Sequence, residues 1–227
     1  MKSSITLSAF FAFLFCFSFL TSDAQDSNAG PSDPSKVPAQ ASEVKQVLCS
    51  SDIIKLKIDA ADVTGLKTYT WYKVVNGVTT SVQTGTQSTY TETPTAPGLY
   101  QYRLMVTNNN DCTSEQSDLF EVYVLPPLNP LVKTSKGDIV CEKEQTETEL
   151  SIDGLDNRFQ YIYQWTKNGT DISGATSATY TVKEQTPGDI TFGVKVSYQL
   201  NANCSAAPTQ LIHVIAVPTK PVISIGN

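Results

Sequence analysis

One pattern occurs twice in this chain, and it limits the possible folds more than any other feature. In the second occurrence, Gln160-Tyr161-Ile162-Tyr163-Gln164-Trp165 runs into Asn168-Gly169, then Thr179-Tyr180-Thr181, then Pro187-Gly188. In the first, Tyr69-Thr70-Trp71-Tyr72-Lys73 runs into Asn76-Gly77, then Thr89-Tyr90-Thr91, then Pro97-Gly98. Trp71 and Trp165 stand 94 positions apart, as do the pairs Ile58-Asp59 and Ile152-Asp153. Side chains alternate along a strand, so Tyr69 shares a face with Trp71, and Tyr161 and Tyr163 share one with Trp165. Asn-Gly tolerates the positive φ of a two-residue hairpin, so each tryptophan strand is expected to turn back on itself there.

Other segments carry the same period. Ile54, Leu56 and Ile58 alternate with Lys55, Lys57 and Asp59, the mark of a strand with one buried face. After each Pro-Gly comes a strongly patterned strand: Tyr100, Tyr102, Leu104 and Val106 in the first copy, and Phe192, Val194, Val196 and Tyr198 in the second. A last strand is expected at Leu119 to Leu125 and at Leu211 to Val217. Each copy thus holds about seven short strands in about 90 residues with no helical periodicity, which predicts an all-β chain of two tandem Greek-key sandwiches. The expected bounds are 41–126 and 131–218. The residues expected to define the two cores are Trp71 and Tyr90 in one and Trp165 and Tyr180 in the other. Pro126-Pro127-Leu128-Asn129-Pro130 reads as a short, stiff linker (127–130), which would make the pair a rod. Residues 219–227 read as a tail or the start of a further domain, because the ending from Pro218 to Asn227 resembles the opening of a domain, as Pro130-Leu131-Val132-Lys133 opens the second copy.

The N-terminus has the form of an export signal. Lys2 precedes an apolar run from Ile5 to Leu20, and small residues at Ser22 and Ala24 mark a cut after residue 24. The run is short and no basic cluster follows it, so no membrane span is expected once it is removed. Residues 25–40 are polar and rich in Ser, Asp and Pro, and read as a disordered leader. Losing residues 1–24 removes one base and one acid, which keeps the formal net charge at −6. An acidic chain has no electrostatic footprint for nucleic acid or an anionic membrane surface.

Export leaves four cysteines: Cys49, Cys112, Cys141 and Cys204. Four cysteines allow three pairings. Cys49 to Cys112 and Cys141 to Cys204 each span 63 positions within one copy. The equal intervals predict one bond per sandwich, in an oxidising compartment. No cofactor or metal is expected. There is no Cys-x-x-Cys, and His213 is the only histidine, which leaves no zinc set and no base for a hydrolase triad. Asp59 with Asp62, and Asp153 with Asp156, lie at strand ends where aspartate commonly caps turns. No enzyme is expected. Most aromatic side chains fall on inward faces. Tyr72, facing outward beside Trp71, is the candidate ligand contact.

Taken together, the Cys, Tyr-x-Trp, Asn-Gly, Gly174-Ala-Thr-Ser-Ala-Thr-Tyr-Thr181, Pro-Gly and Cys elements resemble the immunoglobulin-like or PKD-like repeats of bacterial, Bacteroidetes-type, cell-surface proteins. The resemblance covers about 41–218. It implies an exported, non-catalytic module for display, spacing or adhesion, in the periplasm, at the cell surface or outside the cell. The implied partner is an unidentified protein or glycan, and a carbohydrate-binding accessory module is the alternative. The tryptophan follows the first cysteine by 22 and 24 positions, and Asn110 and Ala202 stand where a tyrosine corner would be. Each disulfide is therefore expected to clamp one end of its sandwich.

Overall fold

Both Asn-Gly pairs sit in the left-handed region, Asn76 at φ 50° with Gly77 at 79°, and Asn168 at 49° with Gly169 at 79°. These are the tight hairpin turns that the dipeptides favour. The computed structural model describes residues 30–59, 65–142, 147–183 and 186–225. The signal-peptide expectation and the start of the leader lie outside them.

The first sandwich contains β1 (Gln46–Leu48), β2 (Ile54–Lys57), β3 (Leu66–Val75), β4 (Val78–Gly85), β5 (Thr89–Glu92), β6 (Gly98–Asn108) and β7 (Phe120–Val124). The second contains β8 (Leu131–Thr134), β9 (Ile139–Cys141), β10 (Thr148–Asp153), β11 (Tyr161–Lys167), β12 (Thr170–Asp171), β13 (Thr179–Val182), β14 (Gly188–Tyr198), β15 (Ser205–Ala206) and β16 (Thr209–Ile215). Five strands in the order β1-β7-β6-β3-β4 face the pair β2-β5. In the second sandwich β12-β11-β14-β16-β9 faces β13-β10-β8. The chain crosses between sheets after each Asn-Gly hairpin, giving an all-β, immunoglobulin-like sandwich in both copies.

Register matches the two copies around their central strands. Gly98 opposes Val124 as Gly188 opposes Val214, and Leu48 opposes Val124 as Val140 opposes Val214. Each core is built from inward alternation. Trp71, Tyr90, Tyr100 and Tyr102 pack in the first, and Trp165, Phe192, Val194 and Ile212 in the second, with Tyr180 half-buried beside Trp165.

The copies differ in how the chain enters them. In the second, β8 pairs with β10 in one sheet before the chain crosses to β9, which runs parallel to β16 in the other. In the first, β1 runs parallel to β7 as β9 does to β16. Among the described residues, nothing takes the place of β8 beside β2. Residues 31–33 dock on the opposite sheet instead, where the Ser32 amide donates to the Leu99 carbonyl at 2.6 Å and the Leu99 amide to Asp33 at 3.2 Å. The Ser32 hydroxyl is buried, donates to the Val74 carbonyl and accepts from the Gln101 amide at 3.1 Å. This corrects the expectation of a disordered leader for residues 30–40. Polar composition did not prevent docking, because backbone groups and one serine supply the contacts. Gly98 permits the approach, since a Cβ there would lie 2.8 Å from Cβ of Pro31.

Candidate functional site

The single disulfide among the described residues joins the two sandwiches. Cys49 bonds Cys204 with Cα atoms 5.3 Å apart, while Cys112 and Cys141 are free thiols, Cys112 exposed and Cys141 half-buried. The expected pairs, Cys49–Cys112 and Cys141–Cys204, are therefore corrected, and the cause is strand direction. β1 runs parallel to β7, so Cys49 leaves β1 at the pole where β7 ends. Cys112 lies in the β6–β7 turn, at the pole where β7 begins. The same relation separates Cys141 from Cys204. The equal intervals of 63 mark equivalent positions in a repeat, and each pair spans a sandwich from pole to pole. The linker brings the Cys49 pole of the first sandwich onto the Cys204 turn of the second.

Aromatic packing surrounds that bond. Phe159 lies between Tyr123 (centroids 6.4 Å apart) and Tyr198 (5.2 Å, edge-on), and Tyr161 continues the stack at 5.2 Å from Tyr198. Val44, Leu99, Leu125 and Phe159 are buried in this cluster. The Tyr198 hydroxyl donates to the Pro126 carbonyl at 3.0 Å, and the Asn201 amide donates to the Val47 carbonyl at 2.8 Å. Burial raises the Tyr198 phenol well above its ordinary value, so it remains a donor at neutral pH. The junction thus combines a covalent tie, an aromatic core and two specific hydrogen bonds. Phe159 and Asn201 were not identified from sequence, because loop residues carry no period.

A groove of about 580 Å³ opens in the first sandwich, between β2 and the start of β7. Leu56, Trp71, Tyr102, Leu104 and Phe120 line it, and Lys55 and Lys57 stand at its rim. Behind it lies a buried ion pair. Lys73 Nζ is 2.5 Å from Glu92 Oε1 and 4.8 Å from the centre of the Tyr100 ring, and Glu92 Oε2 accepts from the hydroxyls of Tyr90 and Tyr102, each at 2.9 Å. Burial, and then the Glu92 carboxylate, push both phenols up. The second sandwich has Lys167, Val182 and Phe192 at the places of Lys73, Glu92 and Tyr102. Lys73 stands two residues from Trp71, a spacing that already places it on the inner face.

The remaining candidates are individually engaged. Tyr72 is half-buried on the outer face, its hydroxyl 3.9 Å from Sδ of Met105, so its ring is not a bare platform. Asp153 pairs with Lys133, and Asp156 with Arg158 at 2.6 Å. Hydrogen bonds from those cations hold both carboxyls below their usual range. Asp62 lies outside the described residues. His213 Nδ1 lies 2.7 Å from Asp189 Oδ1, and that hydrogen bond raises the imidazole above its usual value. Among the described residues, no group of three or more His, Cys, Asp or Glu side chains is placed to hold a metal, and no helix is long and apolar enough to cross a membrane.

No protein-family model matches this chain, and no curated protein matches it. Among solved structures it is similar to the fibronectin(III)-like modules of Clostridium thermocellum CbhA, at 15% identity and a TM-score of 0.46, over 81% of this chain and 96% of that one. It is also similar to a protein from Corynebacterium diphtheriae described as membrane anchored, at 12% identity and a TM-score of 0.33, over 73% of this chain and 48% of that one.

Proposed function

We propose that the chain is a non-catalytic, exported spacer module that holds two sandwiches end to end at a bacterial cell surface. The observation that carries this reading is the junction itself. A flexible pair would need only the proline linker, whereas this one adds a disulfide, an aromatic stack and two hydrogen bonds. Ordinary contacts between domains of one chain leave relative motion as the default. A covalent tie across the contact suppresses that motion, which suits reach and fixed orientation. A structural disulfide also fits an oxidising compartment. Adhesion would add a ligand surface to the same scaffold.

The test joins location with shape. Cells are fractionated and blotted under non-reducing conditions with an antibody to the second sandwich, and the purified chain is measured by small-angle scattering with and without reductant. The expected result is surface-exposed or secreted protein with Cys49 bonded to Cys204, and an elongated particle whose distance distribution broadens on reduction. Reduced protein confined to the cytosol, or scattering unchanged by reduction, overturns the reading.

A further inference from the structure

We propose that Lys73 and Glu92 condense to an amide, so that the first sandwich carries an internal isopeptide bond between its two sheets. The inference goes beyond the spacer reading, and either can fail without the other.

The two side chains come from opposite sheets. Lys73 lies on β3 at the heart of the five-stranded sheet, and Glu92 ends β5 of the facing β2–β5 pair. They meet in the core with Nζ 2.5 Å from Oε1, the lysine side chain 2% and the glutamate side chain 4% exposed. Two opposite charges held there have lost their hydration, and their attraction must offset a desolvation cost of several kcal/mol per ion. An amide carries no charge. Condensation therefore removes both buried charges and keeps the two strands together. The amine and the carboxyl are already in contact on two ordered strands, so the reaction is unimolecular and has no encounter to wait for.

The second carboxylate oxygen is held where charge gathers during the reaction. Oε2 accepts from the Tyr90 and Tyr102 hydroxyls, each at 2.9 Å. Burial keeps both phenols protonated at neutral pH. Packing fixes the two donors, since the Tyr90 ring lies 5.7 Å from that of Tyr102 and is stacked 6.2 Å from Trp71. Two fixed donors on one oxygen stabilise the oxyanion that forms when an amine adds to the carboxyl carbon. The step balances within the pair. One proton passes from the Lys73 ammonium to Oε1, and the freed lone pair forms the N–C bond at Cδ while a C–O electron pair moves onto Oε2. A second proton passes from nitrogen to Oε1. The Cδ–Oε1 bond then breaks, and Oε1 leaves as water with both protons. Oε2 becomes the amide oxygen, still facing both tyrosines, and nitrogen keeps one hydrogen. One ammonium and one carboxylate give one amide and one water, with no co-reactant.

The chemistry is confined to the first sandwich. In the second, Lys167 stands at the place of Lys73, but Val182 replaces Glu92 and Phe192 replaces Tyr102, which removes the carboxyl and one of its donors. The first sandwich is also the one with a weakly held sheet. β2 and β5 have four residues each and form a sheet of two. Neither described cysteine of this copy ties that sheet to the other, since Cys49 bonds across the junction and Cys112 is a free thiol. An amide at Glu92 anchors β5 to β3 directly, so the sheets cannot part without breaking a covalent bond. The ion pair is the state of the chain before this step, and the cost of breaking it belongs to that state.

The test is peptide mass spectrometry of the purified full chain, incubated folded at neutral pH, then reduced, unfolded and digested with trypsin. Lys67, Lys73 and Arg103 are successive trypsin sites. An amide on Lys73 blocks cleavage there. The expected product is a single peptide, 68–103, lighter than its sequence mass by one water, with fragmentation placing the link between Lys73 and Glu92. That peptide contains no aspartate, so succinimide formation cannot mimic the loss of water, and Asn76-Gly77 would release ammonia instead. Glu92→Ala gives separate peptides 68–73 and 74–103 at full mass. Tyr90→Phe with Tyr102→Phe keeps both rings and slows the appearance of the linked peptide at least about tenfold, as expected when donors to an oxyanion are removed. Peptides 68–73 and 74–103 at full mass from the folded wild-type chain overturn the proposal, as does a loss of water that persists in Glu92→Ala. Neither result bears on the spacer reading, which falls only if a parallel unreduced digest lacks the Cys49–Cys204 link.

Discussion

Cys49 and Cys204 are 155 positions apart in sequence and joined by a bond that closes over both sandwiches. The bond ties the exit of a strand in one copy to a turn in the other. Two features follow from it: the sandwiches are fixed relative to each other, and each copy keeps one unused cysteine at its outer pole.

Removing this bond costs stability mainly by freeing the unfolded chain. A loop of 155 residues corresponds to about 5 kcal/mol on the entropic account. Cys49→Ser is expected to lower the urea midpoint while leaving a single transition, since the aromatic stack still couples the sandwiches. Fluorescence of Trp71 and Trp165 reports on one sandwich each in single-tryptophan variants.

Phe159 is 5% exposed between Tyr123 and Tyr198. Phe159→Ala should cost about 3–5 kcal/mol, since it leaves a cavity between two rings. With Cys49–Cys204 intact the sandwiches stay tethered, so the loss appears as faster amide exchange at the junction. In the Cys49→Ser background the same substitution should uncouple the two unfolding transitions, seen as two steps in a denaturation curve.

The buried pair Lys73–Glu92 can be broken or replaced. Glu92→Ala leaves the lysine charge without its carboxylate and should destabilise the first sandwich by about 3–5 kcal/mol. The quadruple variant Lys73→Met, Glu92→Val, Tyr90→Phe and Tyr102→Phe should recover most of that loss, because apolar replacement of a buried pair is commonly neutral or better only when the two hydroxyls that donate to Glu92 are removed with it. Val182 and Phe192 already line the equivalent place in the second sandwich. Chemical denaturation followed through Trp71 distinguishes the outcomes.

His213 gives a pH signal of known sign. Its hydrogen bond to Asp189, with the charges of Asp189 and then Asp138, raises the folded value above 6.5. The stabilisation is therefore fully present below the unfolded value near 6.5, and it is lost as pH rises through the raised folded value. As the only histidine, His213 gives a single imidazole titration by NMR. Its midpoint should lie above 6.5 and fall back toward it in Asp189→Asn.

Alternation and turn chemistry made most of the architecture legible in the sequence. Tyr69 and Trp71 face inward because strand side chains alternate, and Asn76-Gly77 and Asn168-Gly169 close hairpins because both residues tolerate positive φ. These are local rules, and a repeat states them twice. The partner of each cysteine depended instead on strand direction and on which pole of one sandwich meets which pole of the other. Equal spacing carries no information about that, since equivalent positions in a repeat are equally spaced wherever they point. The docking of Ser32 on Leu99, the burial of Phe159 and the open edge of β2 are likewise contacts between segments far apart in the chain. The sequence by itself determined the strands, their faces and their turns, because these follow from bonds between near neighbours. Only the tertiary structure decided the disulfide, the junction and the groove, because each depends on where separate strands end in space.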